Sequence, residues 1–531
     1  MDRHPRKSGA TAQQSQMPQV LDQSTFSSAT RAGTALANDN QKSLMSLASA
    51  LRSAAAHSPN KPAIIFGGRT LSYPELDREA QRRALTLVAA GVGPGDRVAL
   101  HMDNGSELAV SYFACFYAGA IAVPVNTRMK GPEIEYVLAH SGASIYVGQP
   151  DLFGEVAGIR PRFPSIRQFA VDWSALEACV GESTARSLPA VAADRPAVIL
   201  YTSGTTARPK GVVHTHRSLL NAARNFSLES DDIAMIVTPM VHGAAFMTLL
   251  ASVDTAATAV VVARFDPEAV LDAIARHRGT YLFAMPVMCR ALIAAQSARP
   301  RDVSSGKRYL AGGDGVPPAL QSEFARCFGR PLHEVFGTTE TGLIAANWSS
   351  AASCIGSFGC AVPNVDIKIV DANGKPVSPG AIGEMIVRSP SNMAGYWNDQ
   401  DTTKTALRDR WFNTGDLVRR ESDGYLWFQG RRKEIIVRGG SNISPQEVEA
   451  VLYQHAGVRD AGVVGEPDVN WGERVVAYVS RRPGHAVTAE ELIAFVAKRL
   501  AAYKTPEEIV FLDDLPKSAV GKVLRRALQE T

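Results

Sequence analysis

The run Tyr201-Thr202-Ser203-Gly204-Thr205-Thr206-Ala207-Arg208-Pro209-Lys210-Gly211 follows the apolar stretch Ala197 to Leu200 and gathers hydroxyls, glycines and a cation at what reads as a strand exit. Phosphate oxygens are densely negative. A strand that stops and opens into Ser203, Thr205 and Thr206 offers them side-chain hydroxyls and unpaired backbone N–H groups, and Lys210 adds a point charge. The spacing departs from G-x-x-x-x-G-K-[ST], because no Gly-Lys-Ser/Thr follows Gly204 at the required distance. Taken alone, the segment points to polyphosphate binding without fixing a reaction, and its composition also suits an ordinary polar loop.

The order of residues in this run resembles the T-S-G-T-T-G-x-P-K-G signature of the adenylate-forming superfamily, which comprises acyl-CoA synthetases, luciferases and the adenylation domains of peptide synthetases. Four more segments carry the same resemblance. Phe336-Gly337-Thr338-Thr339-Glu340 is similar to the family's Y-G-x-T-E, and Trp411-Phe412-Asn413-Thr414-Gly415-Asp416-Leu417 to its W-F-x-T-G-D-L. Gly430-Arg431-Arg432-Lys433-Glu434 resembles its hinge, and Pro516-Lys517-Ser518-Ala519-Val520-Gly521-Lys522 its C-terminal lysine motif. The five stand in the family's order between Tyr201 and Arg526.

The resemblance implies an ATP-dependent, Mg²⁺-dependent enzyme that activates a carboxylic acid as acyl-AMP and passes the acyl group to CoA. Nucleophile and electrophile are both anions, so such a site must neutralise charge and hold geometry. On the family's pattern, Thr202 to Thr206 and Lys210 cradle the β- and γ-phosphates, Thr339 bonds the α-phosphate and Glu340 holds Mg²⁺. Phe336 stacks on adenine opposite Gly312-Gly313-Asp314, Gly337 and Thr338 continue the nucleotide segment, Asp416 accepts from the ribose hydroxyls, and Arg431 approaches ribose and phosphate. Lys522 stabilises charge at the α-phosphate and carboxylate in the first half-reaction. Lys433 is the hinge about which the C-terminal part turns, withdrawing Lys522 and presenting Arg438-Gly439-Gly440 to the pantetheine.

The resemblance further implies that the acid is chosen by His242 to Ala245, Met285, Pro286 and Thr338 to Ile344, with His242 gating the acyl pocket. These candidates are largely apolar or small, with no Arg or Lys for a second carboxylate and no acid positioned for an amino group, which favours a monocarboxylate with an aliphatic or aromatic body over an amino acid or a diacid. An alternative acceptor is the phosphopantetheine of an acyl carrier protein. A non-catalytic nucleotide-binding descendant is disfavoured by the joint presence of Lys210, Glu340, Asp416 and Lys522. The chain departs from the family pattern at Ala207 for Gly, Phe336 for Tyr, Arg410 for Gly and Glu434 for Asp.

The bulk properties are compatible with this. At 531 residues the chain exceeds what one hydrophobic core organises, so at least two domains are expected. With 56 basic against 52 acidic residues, scattered rather than in blocks, the charge gives no reason to expect a nucleic-acid or membrane-surface partner. Six cysteines without a C-x-x-C pair suit a reducing cytoplasm, and the expected localisation is cytoplasmic. His214 and His216 are too few for a metal site and read as solvated or loop-packing residues. The apolar run Leu108 to Val125 is broken by Ser111, Gly119 and Pro124, so a buried helix leading into a buried strand is expected, not a membrane span.

The elements that must position these residues alternate. Arg97–Met102, Ile121–Val125, Asp231–Pro239, Ala257–Ala263 and Thr280–Ala284 read as strands, and Ser43–His57, Glu107–Ala118 and Pro132–His140 as helices. Asp266-Pro267-Glu268 opens a helix, and Gly329 ends one marked by Leu320, Phe324 and Phe328. Residues 353–429 read as short strands and turns. Ser444 and Thr488 each start a capping box, and Arg474–Val479 reads as a strand between them. The expected fold is α/β: a large N-terminal domain of flanked, mostly parallel sheets with a distorted β-barrel part, and a small mobile α+β C-terminal domain. The expected divisions are a disordered extension over 1–42, which carries no secretory h-region, an adenylate-forming domain over 43–430, and a lid over 431–531.

Overall fold

The computed structural model describes residues 45–181, 187–202, 209–349, 354–432, 434–438, 441–518 and 523–530. The expected extension over 1–42 lies outside the described residues. Gln41–Thr531 cluster as one unit.

Short runs of β-branched and apolar residues build two large sheets. The first has nine strands in the order Cys360–Ala361, Gly342–Ala346, Leu332–Thr338, Arg308–Ala311, Tyr281–Ala284, Ile233–Ile236, Thr258–Val261, Pro62–Phe66 and Arg69–Ser72. Leu332–Thr338 through Pro62–Phe66 pair in parallel, and antiparallel strands close both edges. The second has seven strands: Gly395–Tyr396, Lys210–Thr215, Pro196–Thr202, Ile121–Pro124, Arg97–Leu100, Ile145–Val147 and Gln168–Ala170. Its last five pair in parallel.

Alternation along Ile233–Ile236 shows why both faces are covered. Ala234 and Ile236 belong to one core, Met235 to another. The first core also takes Val98 and Leu100 of the second sheet and the helices Leu47–His57, Tyr73–Ala89, Ser106–Ala118, His216–Arg224 and Gly243–Thr255, so it lies between the two sheets. Every residue of Ser106–Ala118 except Glu107 is buried there, which accounts for its unbroken apolarity. The second core packs Pro267–His277, Pro286–Ala298 and Pro318–Phe328 on the outer face of the nine-stranded sheet.

Local signals in the sequence did their work at several of these helices. Asp266 Oδ1 accepts from Ala269 N at 2.8 Å, with Pro267 in the first turn. Gly329 takes the left-handed C-cap at φ 66°. Strand ends are shorter than expected: Arg97–Leu100, Ile121–Pro124, Ile233–Ile236, Thr258–Val261 and Tyr281–Ala284.

Residues 366–431 form a five-stranded antiparallel sheet, the half-barrel, in the order Asp366–Val370, Ile382–Arg388, Trp411–Arg420 and Leu407–Arg408, with Leu426–Arg431 also paired to Trp411–Arg420. The C-terminal domain has its own sheet and core, with Val458–Asp468 and Gly472–Arg481 as the central hairpin, Glu508–Phe511 in parallel beside it, and Pro445–Leu452 and Ala489–Ala497 packed on it. Thr488 Oγ1 accepts Glu491 N at 3.2 Å, but the Glu491 carboxylate goes to His455 Nε2 at 3.2 Å, so only half of that expected box forms, and the Ser444 side chain forms neither half. Its hydroxyl donates to Gln446 Oε1 at 3.0 Å, and Glu447 N bonds the Ser444 carbonyl at 3.2 Å.

Candidate active site

The strands on either side of residues 203–208 form a hairpin. Pro196–Thr202 and Lys210–Thr215 pair antiparallel, Thr202 opposite Lys210, so the two expected phosphate-binding ends are brought to one sheet edge. Ser203, Gly204, Thr205 and Thr206 lie outside the described residues, as do Lys433, Gly439, Gly440 and Lys522. The hairpin is braced from the helix Gly131–Ser141: Tyr136 Oη donates to Pro209 O at 2.9 Å, and His140 Nδ1 bonds Tyr201 Oη at 2.9 Å. Thr215 then caps the next helix reciprocally with Ser218, at 3.1 and 3.0 Å.

Thr339 and Glu340 sit in the tight turn between Leu332–Thr338 and Gly342–Ala346. His214 ties this turn to the hairpin, its Nε2 lying 2.7 Å from Thr339 O and its Nδ1 3.1 Å from Ser218 Oγ. Burial lowers its pKa to about 4, so the ring is neutral and Nε2–H donates to the carbonyl. His216 is also buried, accepting Leu47 N at 3.3 Å, with its pKa lowered to about 3 by burial. Both histidines are therefore buried packing groups and not solvated ones; their neighbours lie far away in sequence, where composition gives no sign of them.

A second link was absent from the sequence reading. Tyr396 Oη donates to Glu340 Oε1 at 2.9 Å, and the ammonium of Lys210 sits over the Tyr396 ring, 5.0 Å from its centroid. Met393 N donates to Glu340 O at 2.6 Å, and Trp397 N to Gly211 O at 2.7 Å. The segment 393–397 thus joins the turn that carries Glu340 to the hairpin that carries Lys210. Gly211 must be glycine there, since a Cβ would lie 2.8 Å from Ile199 Cγ2 and 3.3 Å from Trp397 Cβ.

Phe336 is half-buried, with its ring 4.6 Å from Phe358 and 5.9 Å from Phe428. The chain of Gly312, Gly313 and Asp314 presses against the same strand: a Cβ on Gly312 would lie 2.5 Å from Val335 O, and Gly313 has φ +84°. Gly337 is as confined, its Cβ position 2.4 Å from Gly342 O. Asp416 is fully buried opposite Arg431, whose Nε reaches Asp416 Oδ1 at 3.1 Å. Trp411, from the same motif, points elsewhere: its ring lies between Lys368 and Arg388, at 4.3 and 4.8 Å, on the half-barrel's outer surface.

His242 precedes the helix Gly243–Thr255, and its Nε2 is 3.2 Å from Asn126 Nδ2. Arg128 N holds Asn126 Oδ1 at 2.9 Å, which orients the amide so that Nδ2 donates. Nε2 therefore accepts and the proton resides on Nδ1. Desolvation first, and the charge of Arg128 second, lower the His242 pKa to about 4. Ala245, Met285, Leu343 and Ile344 join the core beside it, and a Cβ on Gly313 would touch Met285 Sδ at 2.8 Å.

The site borders the C-terminal domain. Arg290 lies 4.8 Å above the Tyr453 ring, and Asp314 is within electrostatic reach of Arg525. Arg525 joins Glu434 at 2.8 Å and Glu449 at 2.6 Å, binding the segment after Lys522 to the residue after Lys433.

The donor set suits a hard cation. Thr338 and Thr339 bring hydroxyls, and Glu340 brings a carboxylate; among the described residues only its Oε1 is hydrogen-bonded, and no cluster of three His, Cys, Asp or Glu able to hold a metal occurs. Mg²⁺ takes one or two carboxylates and completes its shell with phosphate oxygens and water, so these residues fit it.

Comparison with known proteins agrees with this arrangement. Residues 51–397 match the family model of the AMP-binding enzymes, and 447–522 that of the AMP-binding enzyme C-terminal domain. The chain is 38% identical to a feruloyl-CoA synthase of an Amycolatopsis species, over 88% of this chain and 95% of that one. It is 33% identical to a fatty acid–[acyl-carrier-protein] ligase of Streptomyces coeruleorubidus, over 90% and 94%. Among solved structures, ATP-bound MatB from Rhodopseudomonas palustris superposes with a TM-score of 0.84 at 28% identity, covering 92% of this chain and 99% of that one. Sheets, half-barrel and C-terminal domain correspond throughout, and the chain belongs to the AMP-binding enzyme family.

Proposed function

We propose that this enzyme converts a monocarboxylic acid with an aromatic or aliphatic body to its CoA thioester. The chain is an AMP-forming acid–thiol ligase using ATP, Mg²⁺ and CoA. A carboxylate oxygen attacks the α-phosphorus, the P–O bond to pyrophosphate breaks, and acyl-AMP forms. The CoA sulfur then attacks the acyl carbon, and the bond to the AMP oxygen breaks. Lys210 and the 202–206 loop hold the β- and γ-phosphates, Thr339 the α-phosphate, and Glu340 the cation. Mg²⁺, when bound, disperses charge on the phosphates. Phe336, Gly337, Thr338, Gly313 and Asp314 take the adenine side, while Asp416 and Arg431 take the ribose side. Lys522 serves the first half-reaction; Gly439 and Gly440 serve the second, after rotation about Lys433. We divide the chain accordingly into an extension (1–42), a body (43–430) and a lid (431–531).

The observation that supports this reading best is the double bridge between hairpin and turn. Through His214 and Tyr396, a phosphate-directed cation and a metal-directed carboxylate share one rigid frame. The choice of acid follows from the pocket side: His242 is neutral, Ala245 and Met285 are apolar and buried, and the nearby cation Arg128 is exposed. A second charge on the substrate would lack a buried partner there.

An acyl carrier protein is the alternative acceptor, supported by the likeness to a carrier-protein ligase. A cytoplasmic location accords with cysteines that form no disulfide among the described residues; no helix among the described residues is long and apolar enough to cross a membrane. Incubation with ATP, Mg²⁺, CoA and a panel of fatty, aromatic and branched acids, read by mass spectrometry, tests the proposal. Acyl-CoA is expected. Acyl-AMP without thioester would transfer the reading to a carrier protein, and absence of both with every acid would refute the ligase.

A further inference from the structure

Glu340 and Lys210 carry opposite charges, and no ion pair joins them among the described residues; each instead touches Tyr396. It belongs to the two-residue strand Gly395–Tyr396, which pairs with Val213 and Val212 at the edge of the seven-stranded sheet. Its ring is buried, 7% exposed, and its hydroxyl is fixed on Glu340 Oε1. A carboxylate oxygen can only accept, so the phenol donates in this contact. The face of the same ring takes the Lys210 ammonium.

A direct Lys–Glu pair would satisfy both groups and hide both from an incoming nucleotide. Tyr396 occupies each with a weaker neutral contact, and leaves Glu340 Oε2 for a cation. Met393 N on Glu340 O and Ala394 N on Val213 O, at 2.6 and 2.8 Å, fix the segment so that the phenol cannot follow either partner.

Resting on the ligase reading, we propose that Tyr396 is a positioning residue which keeps Glu340 and Lys210 apart and aimed, so that metal and polyphosphate find both groups free. Tyr396→Phe keeps the ring and its hold on Lys210 while releasing Glu340; Tyr396→Leu releases both. Loss of one hydrogen bond to a charged group corresponds to about a tenfold change.

The experiment titrates Mg²⁺ in ATP–pyrophosphate exchange for wild type and both variants, and measures the rise in melting temperature caused by ATP with Mg²⁺ and by ATP with EDTA. For Tyr396→Phe, half-maximal exchange is expected at about tenfold higher Mg²⁺, with the Mg²⁺-dependent part of the melting shift diminished and the EDTA part retained. Tyr396→Leu should diminish both parts. Thioester formation from supplied acyl-adenylate handles no pyrophosphate and should change less than twofold in Tyr396→Phe. An unchanged Mg²⁺ requirement with an unchanged Mg²⁺-dependent shift would overturn the proposal, as would equal loss in both half-reactions. If wild type gave no exchange with any acid, the ligase reading would fall, while the melting shifts would still decide the role of Tyr396.

Discussion

Replacing Gly337 by alanine tests whether the turn carrying Thr339 and Glu340 must be held to sub-ångström tolerance. The added Cβ would lie 2.4 Å from Gly342 O and 3.0 Å from Leu343 Cα, all backbone atoms that no rotamer change can move aside. A carbon–oxygen contact settles at about 3.3 Å, so the hairpin must open by roughly 0.9 Å. The register already shifts between Phe336 and Gly337, which makes this the point where the strands yield. A displacement near 1 Å at reacting groups costs on the order of a hundredfold, or about 2.7 kcal/mol of transition-state stabilisation. Steady-state ATP–pyrophosphate exchange should therefore show kcat/KM for ATP reduced about a hundredfold. Thioester formation from supplied acyl-adenylate should fall far less. Gly154→Ala is the control, since its Cβ would meet nothing within 4 Å. If Gly337→Ala retained exchange within about twofold of wild type, with the far-UV spectrum and melting temperature intact, the argument from turn geometry would be refuted.

The other predictions use different readouts. Lys522→Ala should suppress adenylation and spare thioester formation from acyl-adenylate; an equal loss in rapid-mix assays of the two steps would contradict the two-conformation account. Asp416→Asn keeps the shape but removes the charge paired to Arg431, whose side chain is 39% exposed and remains hydrated. The KM for ATP should rise about tenfold, measured by initial rates, with little loss of stability. Burial lowers the folded pKa of His101 and His214 to about 4 and of His216 to about 3, against 6.5 when unfolded. Between pH 6.5 and about 4 the unfolded chain binds more protons, so stability must fall as pH falls there, by up to about 1.4 kcal/mol per pH unit per histidine. Melting temperatures between pH 7 and 5 check this, and His216→Phe should flatten the slope.

Much of the fold was legible because it is set by neighbours in sequence. The Asp266 cap and the Gly329 stop both depend on residues a few positions apart, and each formed. The alternation of strands and helices likewise follows from local periodicity. Ser444 shows where local reasoning fails even at short range: Glu447 N bonds the Ser444 carbonyl rather than its side chain, and the hydroxyl donates to Gln446 instead.

The site was legible as a set of segments but not as an assembly. Motif order placed Lys210, Glu340 and Asp416 on the same list, while the groups that hold two of them at their posts carry no mark of it. His214 reads as one polar residue on a strand, and its partner Thr339 O lies in a turn between two strands of another sheet. Tyr396 reads as an aromatic in a short apolar segment, where core packing is the natural expectation, and it is indeed buried. Its function rests on the polar tip, and the tip's partner is set by how the edge of one sheet meets a turn of another. Such contacts are fixed by sheet register, which sequence periodicity does not encode. Substitution at these supporting positions should therefore disturb the chemistry while leaving every recognisable motif intact, which is why the Tyr396 variants discriminate more sharply than any change to the motif residues themselves.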